Sequence, residues 1–171
     1  MTSWSVVAAL PEHLASLAHI EREAAALFPP GSFPPGFTDC TVDDAILQAA
    51  AHEGRLWVAL DDATGEPVGF ALVVVMGGMA FLAEVDVLPT HGRRGIGRAL
   101  VERSITWARA YGFSDLTLTT FAHLPWNSPF YRGLGFEVVA DTALPAPARA
   151  ALASEMAMGL TRRLAMRRLL A

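Results

Sequence analysis

Residues 92–97 read Gly-Arg-Arg-Gly-Ile-Gly and carry the clearest chemical signal in the chain. They follow the apolar run Val85-Asp-Val-Leu-Pro89 and precede a segment with apolar residues at helical spacing. A strand that ends in a glycine-rich loop and opens a helix aims several backbone N–H groups and a helix N-terminus at one spot. Arg93, Arg94 and Arg98 flank that spot, and a guanidinium pairs bidentately with phosphate oxygens. Gly95 and Gly97 let the backbone come close, where a Cβ would push the oxygens away. The predicted chemistry is phosphate binding. Just upstream, Glu84 and Asp86 interrupt the apolar run Phe81-Leu-Ala-Glu-Val. A carboxylate in such a run is costly unless it is paired or functional. The two share side-chain parity on a strand, so both face a working site or both face a solvated surface or an ion pair.

Other chemistries fit poorly. A nucleoside-triphosphate P-loop requires lysine, and all thirteen basic residues are arginine. A dinucleotide fingerprint requires a small residue three places after Gly97, where Leu100 stands. His91 lies in the phosphate loop and His123 before a short predicted helix, neither at metal-ligand spacing, so no metal is expected. Cys40 is the sole cysteine, so no internal disulfide can form, and it is remote in sequence from every motif.

The charge is unevenly spread. The net charge is −4, yet residues 1–90 hold two arginines against twelve acids, and residues 91–171 hold eleven arginines against five. A polyanion suits the second half and a cationic partner the first. With the chain acidic overall, nucleic acid is not an expected partner. The longest uncharged stretch, residues 67–83, is shorter than a membrane helix and broken by Gly77-Gly78, and no secretory leader is evident. A soluble, cytoplasmic protein without membrane contact is expected.

These residues need elements to hold them. The pattern predicts a strand at 3–9 and a helix at 11–28, followed by an irregular Pro/Gly/Phe loop. A helix at 41–52 is expected to be capped by Thr41, and a strand at 56–60 follows. Residues 67–76 and 79–88 form a hairpin through Gly77-Gly78. A helix at 95–111, a strand at 116–120, a short helix at 127–134 and a strand at 136–139 come next. A last strand at 156–160 and a basic helix at 162–170 complete the expectation. No repeat or linker divides the chain, so 1–171 is expected to be one domain. The order implies a mixed α/β sheet with helices on both faces.

Two segments together resemble the GNAT superfamily of acetyl-CoA-dependent N-acetyltransferases. Val87-Leu-Pro89 followed by Gly95-Ile-Gly97 matches that family's Val-x-Pro, spacer, Arg/Gln-x-x-Gly-x-Gly/Ala signature. Asn127-Ser-Pro-Phe-Tyr131-Arg-Gly-Leu-Gly135-Phe136 matches its Asn…Tyr-x3-Gly-Phe. The chain departs at the Arg/Gln position, which is Gly92. Any role of that side chain is lost or passes to a neighbouring arginine.

The resemblance implies a mixed, mostly antiparallel sheet of six to seven strands. It implies acetyl-CoA as co-substrate, with residues 93–98, Ile96 among them, around the pyrophosphate. The arm of coenzyme A would lie along residues 83–88, splayed from 116–120, with the acetyl group near Val85 and Val87 and the Val87 N–H on the developing oxyanion. Acetylation needs a neutral amine and hence a base. Glu84 is the candidate, and Asp86 or a water chain the alternative. Tyr131 matches the family tyrosine that protonates the departing thiolate, the alternative being a core aromatic. Asn127 either bonds the arm or caps the short helix. A small-molecule amine is the expected acceptor, met in a ternary complex by direct transfer. Its pocket is expected from residues 28–40, the acidic first half and 124–127, with His123 a candidate lining residue. A protein or peptide acetyltransferase and a non-catalytic acetyl-CoA sensor are the other readings. The apolar region 152–170 offers a surface for a homodimer.

Overall fold

Two strands that alternate between faces over Leu56–Ala59 and Phe70–Val73 organise the molecule. In β2 (Leu56–Asp61) and β3 (Pro67–Met76), Leu56, Val58, Phe70 and Leu72 point to one face, and Trp57, Ala59, Ala71 and Val73 to the other. Both sets are buried, so each face needs a helical layer. The first set meets α1 (Leu17–Ala25) through Leu17 and Ile20, and α2 (Asp44–His52) through Leu47 and Ala50. The second meets α3 (Ile96–Ala110) through Ile96, Leu100, Val101 and Ile105. Burying a leucine or isoleucine fully is worth about 1.5–3 kcal/mol, so these two layers hold the sheet rigid.

The computed structural model describes residues 3–171. Its single sheet has seven strands in the order β1-β2-β3-β4-β5-β7-β6, with β1 at Trp4–Ala8, β4 at Met79–Val87, β5 at Asp115–Phe121, β6 at Glu137–Val139 and β7 at Arg163–Leu169. Every neighbouring pair is antiparallel except β4 with β5, which is parallel. The mixed, mostly antiparallel sheet with helices on both faces is therefore the observed architecture. Two helices remain: α4 (Ser128–Arg132) and α5 (Ala146–Ala157).

Several local expectations are corrected. The segment after Pro11 begins as a 3-10 helix, Pro11–Ser16, before α1. Asp43, not Thr41, caps α2, its carboxylate accepting from the Ala45 N–H at 2.7 Å. Residues 156–160 are the end of α5 and its following turn, not a strand. The predicted basic helix at 162–170 is strand β7, inserted between β5 and β6. Helix α5 is not evident in the sequence, because Pro145 and Pro147 look like breakers; proline is tolerated in the first turn, where its missing N–H would be unpaired anyway.

Candidate active site

The parallel neighbours β4 and β5 pair only at Ala80–Leu116 and Phe81–Thr117. Past Phe81 they separate, while β4 stays paired to β3 as far as Val87 opposite Gly69. The Leu88 N–H donates to the Val68 carbonyl at 2.8 Å, so that pair is a hydrogen-bonded one. Antiparallel pairs alternate, so Val87 and Val85 belong to non-hydrogen-bonded pairs. Their N–H and C=O groups point away from β3, into the split. A wedge lined by free backbone donors and acceptors is where an amide-bearing chain can add itself to a sheet.

The carboxyl groups reach the site through a bulge. Leu72 stands opposite Glu84 and Val73 opposite Leu82, which leaves Ala83 as an extra residue in β4. Upstream of it, Ala80 and Leu82 pack on the α3 side; downstream, Val85 and Val87 do. Without the extra residue Glu84 would follow Leu82 into the α3 core. With it, Glu84 and Asp86 turn to the opposite face, toward Glu21 of α1. Their carboxyl groups lie against each other at hydrogen-bonding range. Burial, then the charges of Asp86 and Glu21, hold the Glu84 carboxyl well above the usual carboxylate range. Asp86 is pushed up to about 7, by burial first and then by Glu21. Its Oδ2 is buried without a hydrogen-bond partner. Glu21 accepts from the Val42 N–H at 3.0 Å, and burial raises its carboxyl too.

Tyr131 and Asn127 line the same cavity as Glu84 and Asp86. The ring of Tyr131 meets Phe130 and Phe136 edge-on, with centroids 5.0 and 5.8 Å away. Burial, then Asp86 and Glu84, raise its hydroxyl above the ordinary phenol range, so it stays protonated. Asn127 stands at the N-cap of α4 but makes no side-chain capping bond, so capping is not its role.

The phosphate-type loop is a 3-10 turn, Pro89–His91, then Gly92 to Gly95, then α3. Arg93 and Arg94 are exposed there. Arg93 holds a left-handed backbone at φ 61°, a conformation costly for a residue with a Cβ. Gly95 takes φ 83° at the N-cap, a conformation L side chains rarely adopt, and a Cβ there would come within 3.9 Å only of Trp4 among protein atoms. A Cβ on Gly97 would face Phe130 and Val87 at 3.7 and 3.8 Å, beside the split, not outward. The Ile96 side chain anchors the helix start in the core. Arg98 is exposed and paired along the helix with Glu102 at 3.0 Å.

On the other face of the split lies a cavity of about 420 Å³. Phe28, Phe33 and Phe37 from the proline-rich loop and Phe121 from β5 form an aromatic wall, with Phe33–Phe37 stacked at 5.2 Å and Phe28–Phe121 tilted at 5.6 Å. Glu155 of α5 and Arg163 of β7 form an ion pair at 3.0 Å on its floor. Thr119 donates to Glu155 at 2.6 Å and accepts from Arg163 at 3.1 Å. Glu21, Thr119, Phe121, Glu155 and Arg163 carry no local motif; only long-range pairing brings them here. Cys40 also lines this cavity despite its distance in sequence. His123 does not; it lines a separate pocket with Ala122, Leu124, Pro125, Ser128, Pro129 and Arg132. Among the described residues no cluster of acids, histidines or cysteine suits a metal ion, and no helix is long and apolar enough to cross a membrane.

Comparison with known proteins agrees with this geometry. Residues 18–136 match the model of the acetyltransferase (GNAT) family. N-acetyltransferase family 8 member 3 of Mus musculus is 26% identical over 99 residues, 54% of this chain and 43% of that protein, so the match spans less than half of that relative. N-acetylglutamate synthase from Neisseria gonorrhoeae, solved with coenzyme A and N-acetyl-glutamate, superposes with a TM-score of 0.72 at 18% identity over all of this chain and 36% of its own. The PaiA N-acetyltransferase of Thermoplasma acidophilum, solved with coenzyme A, gives a TM-score of 0.72 at 16% identity, covering 98% of this chain and 99% of its own. The ribosomal-protein-S18-alanine N-acetyltransferase of Escherichia coli gives 0.67 at 20% identity, covering 99% and 95%. The split strand, the glycine loop and the matched span lead to one conclusion: the chain belongs to the GNAT acetyltransferase family.

Proposed function

We propose that this enzyme transfers the acetyl group of acetyl-CoA to the primary amine of a small-molecule acceptor, by direct attack in a ternary complex. The observation that carries the reading is the split between β4 and β5. One side opens to the glycine loop and the start of α3; the other opens to a cavity with a carboxyl pair at its edge. Two reactants can thus meet at Val85–Val87 from opposite sides.

The residues fit coenzyme A. Arg93, Arg94, Gly95, Gly97 and the backbone at the start of α3 would hold the diphosphate, with Arg98 available by exchange from its exposed pair with Glu102. The free backbone groups of Val85 and Val87, with the uncommitted side chain of Asn127, would hold the arm's amides. Bound acetyl-CoA supplies an activated acyl carbon and a thiolate leaving group. The chain's own groups do the rest. Glu84, paired with Asp86, takes the proton from the acceptor ammonium, and its raised affinity for protons suits a base working near neutrality. The Val87 N–H, fixed by β3 and aimed into the split, stabilises oxygen charge. The Tyr131 hydroxyl, still protonated, donates to the departing sulfur. No covalent acyl-enzyme is required, because the cavity and the loop open onto one point.

Amine-dependent release of the coenzyme A thiol tests this reading, with initial rates measured while both substrates vary. Intersecting double-reciprocal lines and an acetylated amine by mass are expected. Parallel lines, indicating an acyl-enzyme, would overturn direct transfer. Binding of coenzyme A with no acetylation of any amine would leave a sensor instead.

A further inference from the structure

The acceptor cavity pairs an acidic edge with an aromatic wall. Glu21, Glu84 and Asp86 supply carboxyl groups from α1 and β4. The wall opposite is Phe28, Phe33, Phe37 and Phe121, which pack on one another with centroids 4.9 to 5.7 Å apart. Trp126, half exposed, extends it through an edge contact with Phe28 at 6.3 Å. Such a wall gains little from a hydrated polyamine chain and much from a ring or other bulky apolar body.

The same cavity has no cation to spare. Arg163 is the one basic side chain among its described lining residues. Its Nε and Nη2 reach the two oxygens of Glu155 at 3.0 and 3.3 Å, Nη2 also reaches Thr119, and the guanidinium lies 4.5 Å over the Phe121 ring. An α-carboxylate brought here would meet three carboxyl groups and an arginine already matched by its own acid. Burying it would leave a charge uncompensated, and a site discriminates most sharply against the group it cannot pair.

We infer that the acceptor is a primary amine borne on an aromatic or comparably bulky apolar body, with no carboxylate beside the amine. This rests on the acetyl-transfer reading above and narrows it. The ammonium would sit toward Glu84 and Asp86, and the ring against the phenylalanines of the proline-rich loop.

The test uses the full chain, acetyl-CoA and matched acceptors: 2-phenylethylamine against L-phenylalanine, tryptamine against L-tryptophan, with n-propylamine, spermidine and a tetrapeptide bearing a free N-terminal phenylalanine as controls. The arylalkylamines should exceed their parent amino acids by roughly 100-fold or more in kcat/KM, the scale seen when a charge goes unpaired. They should exceed n-propylamine and spermidine by about tenfold or more, the scale on which an apolar pocket tells a substrate that fills it from one that does not. In Phe33→Ala the arylalkylamine KM should rise by a larger factor than the n-propylamine KM. Glu155→Gln, which frees Arg163, should raise activity on L-phenylalanine relative to phenylethylamine; thermal unfolding of both variants checks that they fold. Equal or better use of the amino acids or of spermidine would overturn the inference while leaving acetyl transfer standing; equal or better use of the tetrapeptide would keep the inference and overturn the small-molecule acceptor. Bound coenzyme A with no acetylation of any member of the panel would overturn both.

Discussion

The carboxylate of Asp61, at the end of β2, holds the imidazole Nε2 of His91 at 3.1 Å across 30 residues of sequence. His91 closes the 3-10 turn that leads into the glycine loop, and its Nδ1 meets Thr90 Oγ1 at 3.0 Å. The other oxygen of Asp61 accepts from the Ala63 N–H at 2.8 Å, so the carboxylate ties the β2–β3 turn to the phosphate loop.

His91→Ala and Asp61→Asn should therefore raise the KM for acetyl-CoA and leave kcat nearly unchanged. One such bond is worth about 0.5–1.5 kcal/mol, which is up to about tenfold in KM. His91 holds the Asp61 carboxyl below the usual carboxylate range. A depressed acid stabilises the fold above its unfolded value and stops doing so as pH falls through its folded value. Acid unfolding followed by circular dichroism should accordingly begin at higher pH in His91→Ala than in the parent. An unchanged KM in both variants would remove Asp61 and His91 from any positioning role.

The pair Glu84 and Asp86 should dominate the pH profile. With Asp86 near 7 and Glu84 also raised, kcat/KM should climb with pH through a limb near neutrality. Asp86→Asn removes the like charge, so the remaining limb should move to lower pH; burial, the larger cause, keeps it above the ordinary carboxylate range. Stability moves the other way. A raised acid binds its proton more tightly folded than unfolded, so its contribution is complete below about pH 4 and lost as pH rises through the folded value. Asp86→Asn should then raise Tm more at pH 8 than at pH 5. A Tm gain that is equal at both pH values would contradict this.

Tyr131→Phe removes one oxygen and keeps the ring that packs on Phe130 and Phe136. Coenzyme A affinity by calorimetry should be nearly unchanged. The kcat should fall by about 10²-fold or more, the usual share of a positioned acid. Acceptors whose acetylation depends less on leaving-group protonation offer no escape, because the sulfur departs in every turnover. A loss of less than about threefold would mean that water protonates the thiolate and that Tyr131 is a packing residue.

Much of this site was legible in the sequence because its parts are local. The glycine loop, the carboxylates of β4 and the Asn127–Phe136 motif each lie within one short stretch, and strand and helix periodicity placed them. The bulge at Ala83 was not legible. Simple alternation gave Glu84 and Asp86 the same parity, correctly, but could not say which face they took. The C-terminal third was misread for a related reason. Leu164, Ala165 and Met166 are followed by Arg167 and Arg168, which mimics a basic amphipathic helix; pairing with β5 and β6 on both edges made the segment a strand. Two of its three arginines are consumed inside the fold, Arg163 by Glu155 and Arg168 by the Leu134 carbonyl at 2.6 Å. Because that strand and α5 were misplaced, the acceptor floor of Glu155, Arg163 and Thr119 could not be foreseen.

Gly69 offers a test of how tightly the reaction depends on packing. It lies on β3 opposite Val87, and a Cβ there would stand 2.9 Å from the Asp86 carbonyl oxygen and 3.2 Å from Val87 Cγ2. The first of these neighbours is backbone and cannot rotate aside, so Gly69→Ala must displace β4 at Asp86–Val87. Ile96 Cγ2 at 3.4 Å blocks the third direction, toward the start of α3. Overpacking of this kind costs about 1–3 kcal/mol, which should appear as a lower Tm. The same displacement moves the Val87 N–H and the Asp86 carboxyl relative to Tyr131. The kcat should therefore fall by roughly tenfold or more, since small misplacements of reacting groups are costly. A control at Gly78, where a Cβ meets nothing within 4 Å but φ is 81°, should lose stability through backbone strain and keep its kcat. If Gly69→Ala loses stability and retains full kcat at a temperature where it is folded, then β4 does not set the geometry of transfer.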